Sequence, residues 1–252
     1  MLELRNLTAG YPGKPVLQSI SAKFPAGKVT AVLGSNGCGK STLLKALCGV
    51  LKAQGQALWD GQDLLALPSQ ERARLVACMH QSPPTTELTA GLLVLCGRYP
   101  HQSWLHSYGE TDKAAAGAAM ARMGVEALWG TPLSQLSGGQ RQKVHIAMAL
   151  AQDTPILLLD EPTAHLDIRH QLQLLRYAKE LAAEGKTVVT VLHDLQSALG
   201  SADHILLMDN GSIAAEGTPE EVFASGQLEQ VFGVRIHRIF TESHPLYYCT
   251  EA

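Results

Sequence analysis

Gly34-Ser35-Asn36-Gly37-Cys38-Gly39-Lys40-Ser41 fits the spacing G-x-x-x-x-G-K-[ST]. Small residues at these positions let consecutive backbone N–H groups wrap phosphate oxygens at a helix N-terminus. Lys40 then reaches the β and γ phosphates of a nucleoside triphosphate, and the Ser41 hydroxyl is placed for Mg2+. With Thr42 the segment makes a complete phosphate cradle. Cys38 stands inside it, as a redox-sensitive thiol or simply as a small residue. Further along, Ile156-Leu157-Leu158-Leu159 is an apolar run that delivers Asp160 and Glu161. Alone, two acids could merely cap the next turn. Downstream of a phosphate loop they read as a metal-holding carboxylate, Asp160, and a carboxylate, Glu161, that orients or deprotonates the attacking water. A third motif, Leu136-Ser137-Gly138-Gly139-Gln140, opens a helical pattern and so offers a second anion-binding helix terminus. One nucleotide does not need two.

These residues require particular elements beneath them. Lys28 to Leu33 reads as a strand ending in the glycine loop, and Leu43, Leu44 and Leu47 then fall at helical spacing, giving strand, loop and helix. Ahead of this, Leu2, Leu4 and Leu7 and then Val16 to Phe24 read as strands. From about Pro68 to Leu136 the pattern is mostly helical, clearest over Asp112 to Met123. Strand and helix alternate again: Ile156 to Leu159, a helix over Ile168 to Glu184, then the strand Lys186 to Leu192, which implies parallel pairing. Asp209-Asn210-Gly211 separates two short strands as a tight hairpin. Thr218-Pro219-Glu220-Glu221 predicts a capped helix near the C-terminus. The expected fold is α/β: a P-loop NTPase core with a mixed sheet, an N-terminal antiparallel β subdomain and a helical subdomain over about 82–150, all in one domain spanning 1–252.

The 252 residues, 46% apolar, suffice for a sizeable core. A net charge of −3 and no basic stripe argue against a nucleic-acid partner. The five cysteines, Cys38, Cys48, Cys78, Cys96 and Cys249, form no Cys-x-x-Cys pair and fit neither a disulfide framework nor a zinc site. A reducing cytosol is the expected compartment. The N-terminus shows no apolar signal region, and no apolar run approaches the roughly 18 residues of a membrane span. His165 and His170 do not share a helical face, so magnesium with ATP is the only metal implied.

With the Leu136–Gln140 motif in place, the chain resembles the ATP-binding subunits of ABC transporters along essentially its whole length. The resemblance implies a head-to-tail dimer, in which Ser137, Gly138 and Gly139 of one copy close over the γ-phosphate held by Lys40 of the other. It also implies that Tyr11 stacks on adenine, that Gln81 contacts Mg2+ and the water, and that His193 contacts the γ-phosphate. Gln140 completes the signature, and Leu166-Asp167 crosses to the partner. Three departures, Ser35, Lys143 and the loop Thr163-Ala164-His165, remove no required chemical group.

Within that family Gly97-Arg98-Tyr99-Pro100-His101-Gln102 resembles importers of the iron-siderophore, ferric-citrate, haem and vitamin B12 type. A capped helix end before a proline would give the same letters. The importer reading implies integral membrane permease subunits, a periplasmic or extracellular substrate-binding protein upstream, and a peripheral position on the cytoplasmic face of the inner membrane. The competing reading is a soluble ABC ATPase of the iron-sulphur cluster assembly kind. An exporter is disfavoured by the lack of fused spanning helices.

Overall fold

The computed structural model describes residues 1–80, 87–102, 107–164, 166–240 and 245–251. Gln81 and His165 lie outside the described residues.

The chain opens with a hairpin of β1 (Leu2–Tyr11) and β2 (Lys14–Phe24), closed through Pro12-Gly13 with Tyr11 opposite Lys14. β3 (Val29–Gly34) is buried throughout and feeds the glycine loop into α1 (Lys40–Cys48). β4 (Ala53–Trp59) and the short β5 (Gln62–Asp63) follow. Next come α2 (Ser69–Ala73), β6 (Val76–Met79), α3 (Ala90–Cys96), α4 (Glu110–Arg122), α5 (Gly138–Ala151), β7 (Ile156–Asp160) and α6 (Ile168–Ala183). The last third holds β8 (Thr187–Val191), α7 (Leu195–Ser201), β9 (His204–Asp209), β10 (Ser212–Gly217), α8 (Pro219–Ala224), α9 (Gln227–Phe232), β11 (Val234–Phe240) and β12 (Pro245–Glu251). Two compact units result, one of Met1–Leu67 with Leu175–Ala252, the other of Pro68–Leu174.

In the first unit β1 pairs antiparallel with β2 and β4. β3 lies parallel to both β8 and β9, and β10 turns back antiparallel on β9. The strands β3 and β8 are buried at every position, which is why they read as continuous apolar runs rather than as alternation. In the second unit β6 and β7 run parallel, from Val76 opposite Ile156 to Met79 opposite Leu159. Among the described residues no helix is long and apolar enough to cross a membrane.

Local signals explain most element ends. Thr218 accepts the Glu221 N–H while the Glu221 carboxylate accepts the Thr218 N–H at 2.8 Å, the reciprocal cap expected for α8. α4 starts at Glu110, two residues before the expected Asp112, because the Asp112 carboxylate accepts the Gly109 N–H at 3.1 Å and caps an earlier turn. Two expectations need correction. Val76–Met79, inside the stretch read as helical, is a strand; four apolar residues show no period, and pairing with buried β7 decides the outcome. Beyond the C-terminal helix the chain continues through a second helix into the hairpin β11–β12, paired from Val234 opposite Glu251 to Phe240 opposite Pro245.

α5 buries His145, only 4% exposed, and neither ring nitrogen has a hydrogen-bond partner among the described residues. Burial, with Arg141 nearby, pushes this imidazole down to about 4. The native state therefore requires the neutral ring, while the unfolded chain binds a proton below about pH 6.5. Stability should be full above that pH, fall as pH drops towards 4, and level off below. Between pH 7.5 and pH 5 the loss from this group should be about 2 kcal/mol, and His145→Phe should abolish it. Denaturant unfolding of both proteins at the two pH values checks this; equal losses would contradict it.

Candidate functional site

The glycine loop is built by exclusion of side chains. Gly34 has φ 147, and a Cβ there would sit 2.2 Å from the Met208 carbonyl oxygen; Gly39 has φ 111, and its Cβ would meet Leu17 at 2.7 Å. Gly37 is also left-handed but faces open space. A second element clamps the loop: the Gly211 N–H, in the turn between β9 and β10, donates to the Cys38 carbonyl at 3.0 Å, and the Gly211 carbonyl accepts from Gln18 N–H at 2.9 Å. The Asn-Gly pair legible only as a hairpin turn is thus also a strut for the cradle. Cys38 is buried, and burial pushes its thiol up, away from the thiolate character of reactive cysteines. All five cysteines are free thiols.

Lys40 opens α1 and is 6% exposed. Its ammonium donates to the Gly34 and Ser35 carbonyls at 2.7 and 2.9 Å, so the side chain is folded back over the loop. Ser41 follows on the first turn, half-buried, and Thr42 is buried. Asn36 and Gly37 form the exposed crest.

Two other expected residues belong to the same unit. Tyr11 ends β1 and is 46% exposed, with its hydroxyl 3.4 Å from the Lys45 amine on α1, leaving ring surface for stacking. His193 follows β8, the parallel neighbour of β3, so it and the glycine loop both leave from strand carboxyl ends, where ligands of open α/β sheets bind. Its exposed position is fixed by Asp194, whose carboxylate caps α7 by accepting the Ser197 N–H at 2.8 Å.

In the second unit Ser137 is the N-cap of α5. Its hydroxyl oxygen accepts the Gln140 N–H at 3.2 Å, and the Gln140 side-chain oxygen accepts the Ser137 N–H at 3.0 Å. Gln140 is therefore half of a capping box, a role readable from Ser-x-x-Gln. With its oxygen engaged, the Ser137 hydroxyl keeps a proton to donate. Gly139 is not left-handed, and a Cβ there would make only ordinary contact, 3.5 Å from Leu166. The chain's own packing does not demand its bareness. Ser137, Gly139, Gln140, Lys143, Leu166 and Asp167 line a cavity of about 610 Å³. Asp167 accepts both the His170 N–H and the His170 ring nitrogen, at 2.9 and 2.8 Å, and the backbone bond in particular holds its carboxyl below the usual range.

Asp160 is buried at the carboxyl end of β7, and Glu161 follows, half-buried, with φ 51. A left-handed non-glycine residue costs of order 1 kcal/mol and persists only where its surroundings enforce it. Gln81, expected near the metal, lies outside the described residues. Among those described, no cluster of three or more His, Cys, Asp or Glu side chains could hold a metal ion. A cation here would rely on a few hard oxygens with phosphate and water, the set magnesium prefers.

The Gly97–Gln102 segment is a packing knot. A Cβ on Gly97 would lie 2.2 Å from the Met148 carbonyl. Arg98 donates to the Ala151 carbonyl at 2.8 Å and pairs with Asp112 at 3.1 Å, while the Pro100 carbonyl accepts from Arg74 at 2.8 Å. Tyr99 points out, 70% exposed, and His101 is exposed as well.

Compared with known proteins, residues 17–164 match the family model described as ABC transporter. The chain is 42% identical to the achromobactin transport ATP-binding protein of Dickeya dadantii over 91% of this chain and 87% of that protein. It is 40% identical to the probable siderophore transport system ATP-binding protein of Bacillus subtilis, covering 92% and 86%. Against the ferric enterobactin transport ATP-binding protein of Escherichia coli the identity is 41%, covering 91% and 86%. Among solved structures, a putative metal-chelate type ABC transporter in an inward-facing conformation superposes with TM-score 0.82 at 26% identity, over 99% of this chain and 96% of that one. A dimeric ATP-binding cassette in a post-hydrolysis state with ADP and phosphate gives TM-score 0.77 at 27% identity, covering 87% and 99%.

The glycine geometry sets a graded test. Gly34→Ala forces a backbone clash and should weaken ATP binding by more than a hundredfold, whereas Gly37→Ala meets only backbone strain of about 1 kcal/mol, roughly a fivefold effect. Titration with a fluorescent ATP analogue checks the ranking; equal affinities would contradict it.

Proposed function

Since the chain belongs to the ABC transporter family of ATP-binding subunits, we propose that this ATPase powers a membrane importer of ferric chelates of the siderophore class, working as a head-to-tail pair on the cytoplasmic face of the membrane. The cargo class rests on relatives whose names specify siderophore and ferric enterobactin transport. The whole of 1–252 acts as one ATP-binding domain, with the helical stretch 82–150 turned to the permease. The binding protein that supplies the cargo acts through that permease.

The observation that carries the paired reading is the bare, exposed start of α5. Ser137 caps the helix through its hydroxyl oxygen and stays exposed, and nothing among the described residues requires Gly139 to be bare. In the pair, Ser137, Gly138 and Gly139 of the partner subunit meet the γ-phosphate that Lys40 and the glycine loop hold, with Gln140 fixing the serine. Tyr11 stacks on the adenine. Ser41, Asp160 and Gln81 would hold Mg2+. When bound, the ion offsets the charge that builds on the transferring phosphoryl group. Glu161 orients the attacking water and accepts its proton, and His193 steadies the γ-phosphate from the end of β8. Closure on ATP supplies the force that moves the permease, and hydrolysis releases it.

Glu161→Gln should retain ATP binding, lower hydrolysis at least a hundredfold and accumulate an ATP-bound dimer, because the amide cannot take the proton. Lys40→Ala should instead lose nucleotide affinity. Turnover assays with size-exclusion chromatography check both; a Glu161→Gln protein with normal turnover would refute the assignment.

A further inference from the structure

The connection from β7 to α6 is described at Glu161 to Ala164, Leu166 and Asp167. Its carbonyls are held by two side-chain amides from different helices. Gln171 on α6 donates to Thr163 at 3.3 Å and to Leu166 at 2.9 Å. Gln142 on α5 donates to Pro162 at 3.0 Å. Pro162 is buried and directly follows Glu161, whose own backbone is left-handed and needs external support.

The Gln142 contact joins two functions otherwise twenty residues apart. Gln142 lies one helical turn and a half beyond Ser137, on the rigid α5 whose N-terminus carries the signature. Displacement of that N-terminus moves Gln142 with it, and the hydrogen bond to Pro162 transmits the movement to the backbone of Glu161. We infer that Gln142 is a positioning residue that couples the two composite ATP sites of the pair. This rests on the function proposed above. The signature of one copy closes on its partner's nucleotide, while Glu161 of that same copy serves its own. The Gln142 amide thus reports the state of one site to the general base of the other. Gln171 holds the same loop from α6, which does not carry the signature, so it supports the loop without carrying the signal.

Paired variants separate coupling from simple loosening. Gln142→Leu keeps the side chain's bulk and loses the donor. It should lower kcat about tenfold, leave ATP affinity unchanged in the non-hydrolysing Glu161→Gln background, and bring the Hill coefficient for ATP hydrolysis to 1. Gln171→Leu should also lower kcat yet retain the wild-type Hill coefficient. Steady-state ATPase titrations, with unfolding curves to confirm folded protein, read all three. If Gln142→Leu does not fold, Gln142→Glu, which also lacks the donor, carries the same prediction. Unchanged kcat and Hill coefficient in the Gln142 variant, or equal loss of cooperativity in both variants, overturns the inference. Wild-type hydrolysis and the Glu161→Gln dimer trap test the underlying function separately, so its failure would be recognised as such.

Discussion

A lysine ammonium removed from water is the constraint on which the phosphate-binding half of this molecule rests. Moving such a charge inside costs several kcal/mol unless it is well solvated by the protein. Lys40 meets two backbone carbonyls, and these are available only because Gly34 takes a backbone conformation closed to other residues. Carbonyl dipoles solvate a cation without neutralising it. A polyanion arriving at the loop therefore gains the full attraction of a charge whose desolvation is already offset. The strut from Gly211 to Cys38 and the buried β3 beneath keep that arrangement from relaxing.

The second unit obeys the opposite logic. There the anion-seeking group is a helix terminus that stays exposed. Gln140 ties the Ser137 backbone N–H, while Ser137 and Gly138 stay exposed and Gly139 half-buried. In the pairing proposed above, the buried cation of one copy and the open helix start of another would act on one polyanion. The side-chain amides of Gln142 and Gln171 then do for the Glu161 loop what ladder hydrogen bonds do for strands.

Much of this was legible from residue order, because the decisive features are local. The strand, loop and helix around Lys40, the Asp-Glu pair ending β7, the Asn-Gly turn and the Thr218 cap each lie within a few residues, and each appears as expected. What escaped depends on distance in sequence. Val76–Met79 is a strand because β7 lies beside it, eighty residues later. β11 alternates over Val234 to His237, but Arg238-Ile239 breaks the pattern, so its pairing was hidden. The Gly211 strut and the Gln142 clamp join segments that share no motif. The Gly97–Gln102 letters, similar to those of importers, turned out to hold one exposed tyrosine on a tightly tied backbone.

The central claim, that each ATP site is shared between two copies, is tested most directly by mixing two inactive proteins. Lys40→Ala removes the phosphate-binding cation, and Ser137→Arg blocks the signature. A mixed dimer contains one site with both lesions and one with neither. The account predicts that each variant alone is inactive and that ATP hydrolysis reappears when the two are combined. A mixture as inactive as its components would contradict it.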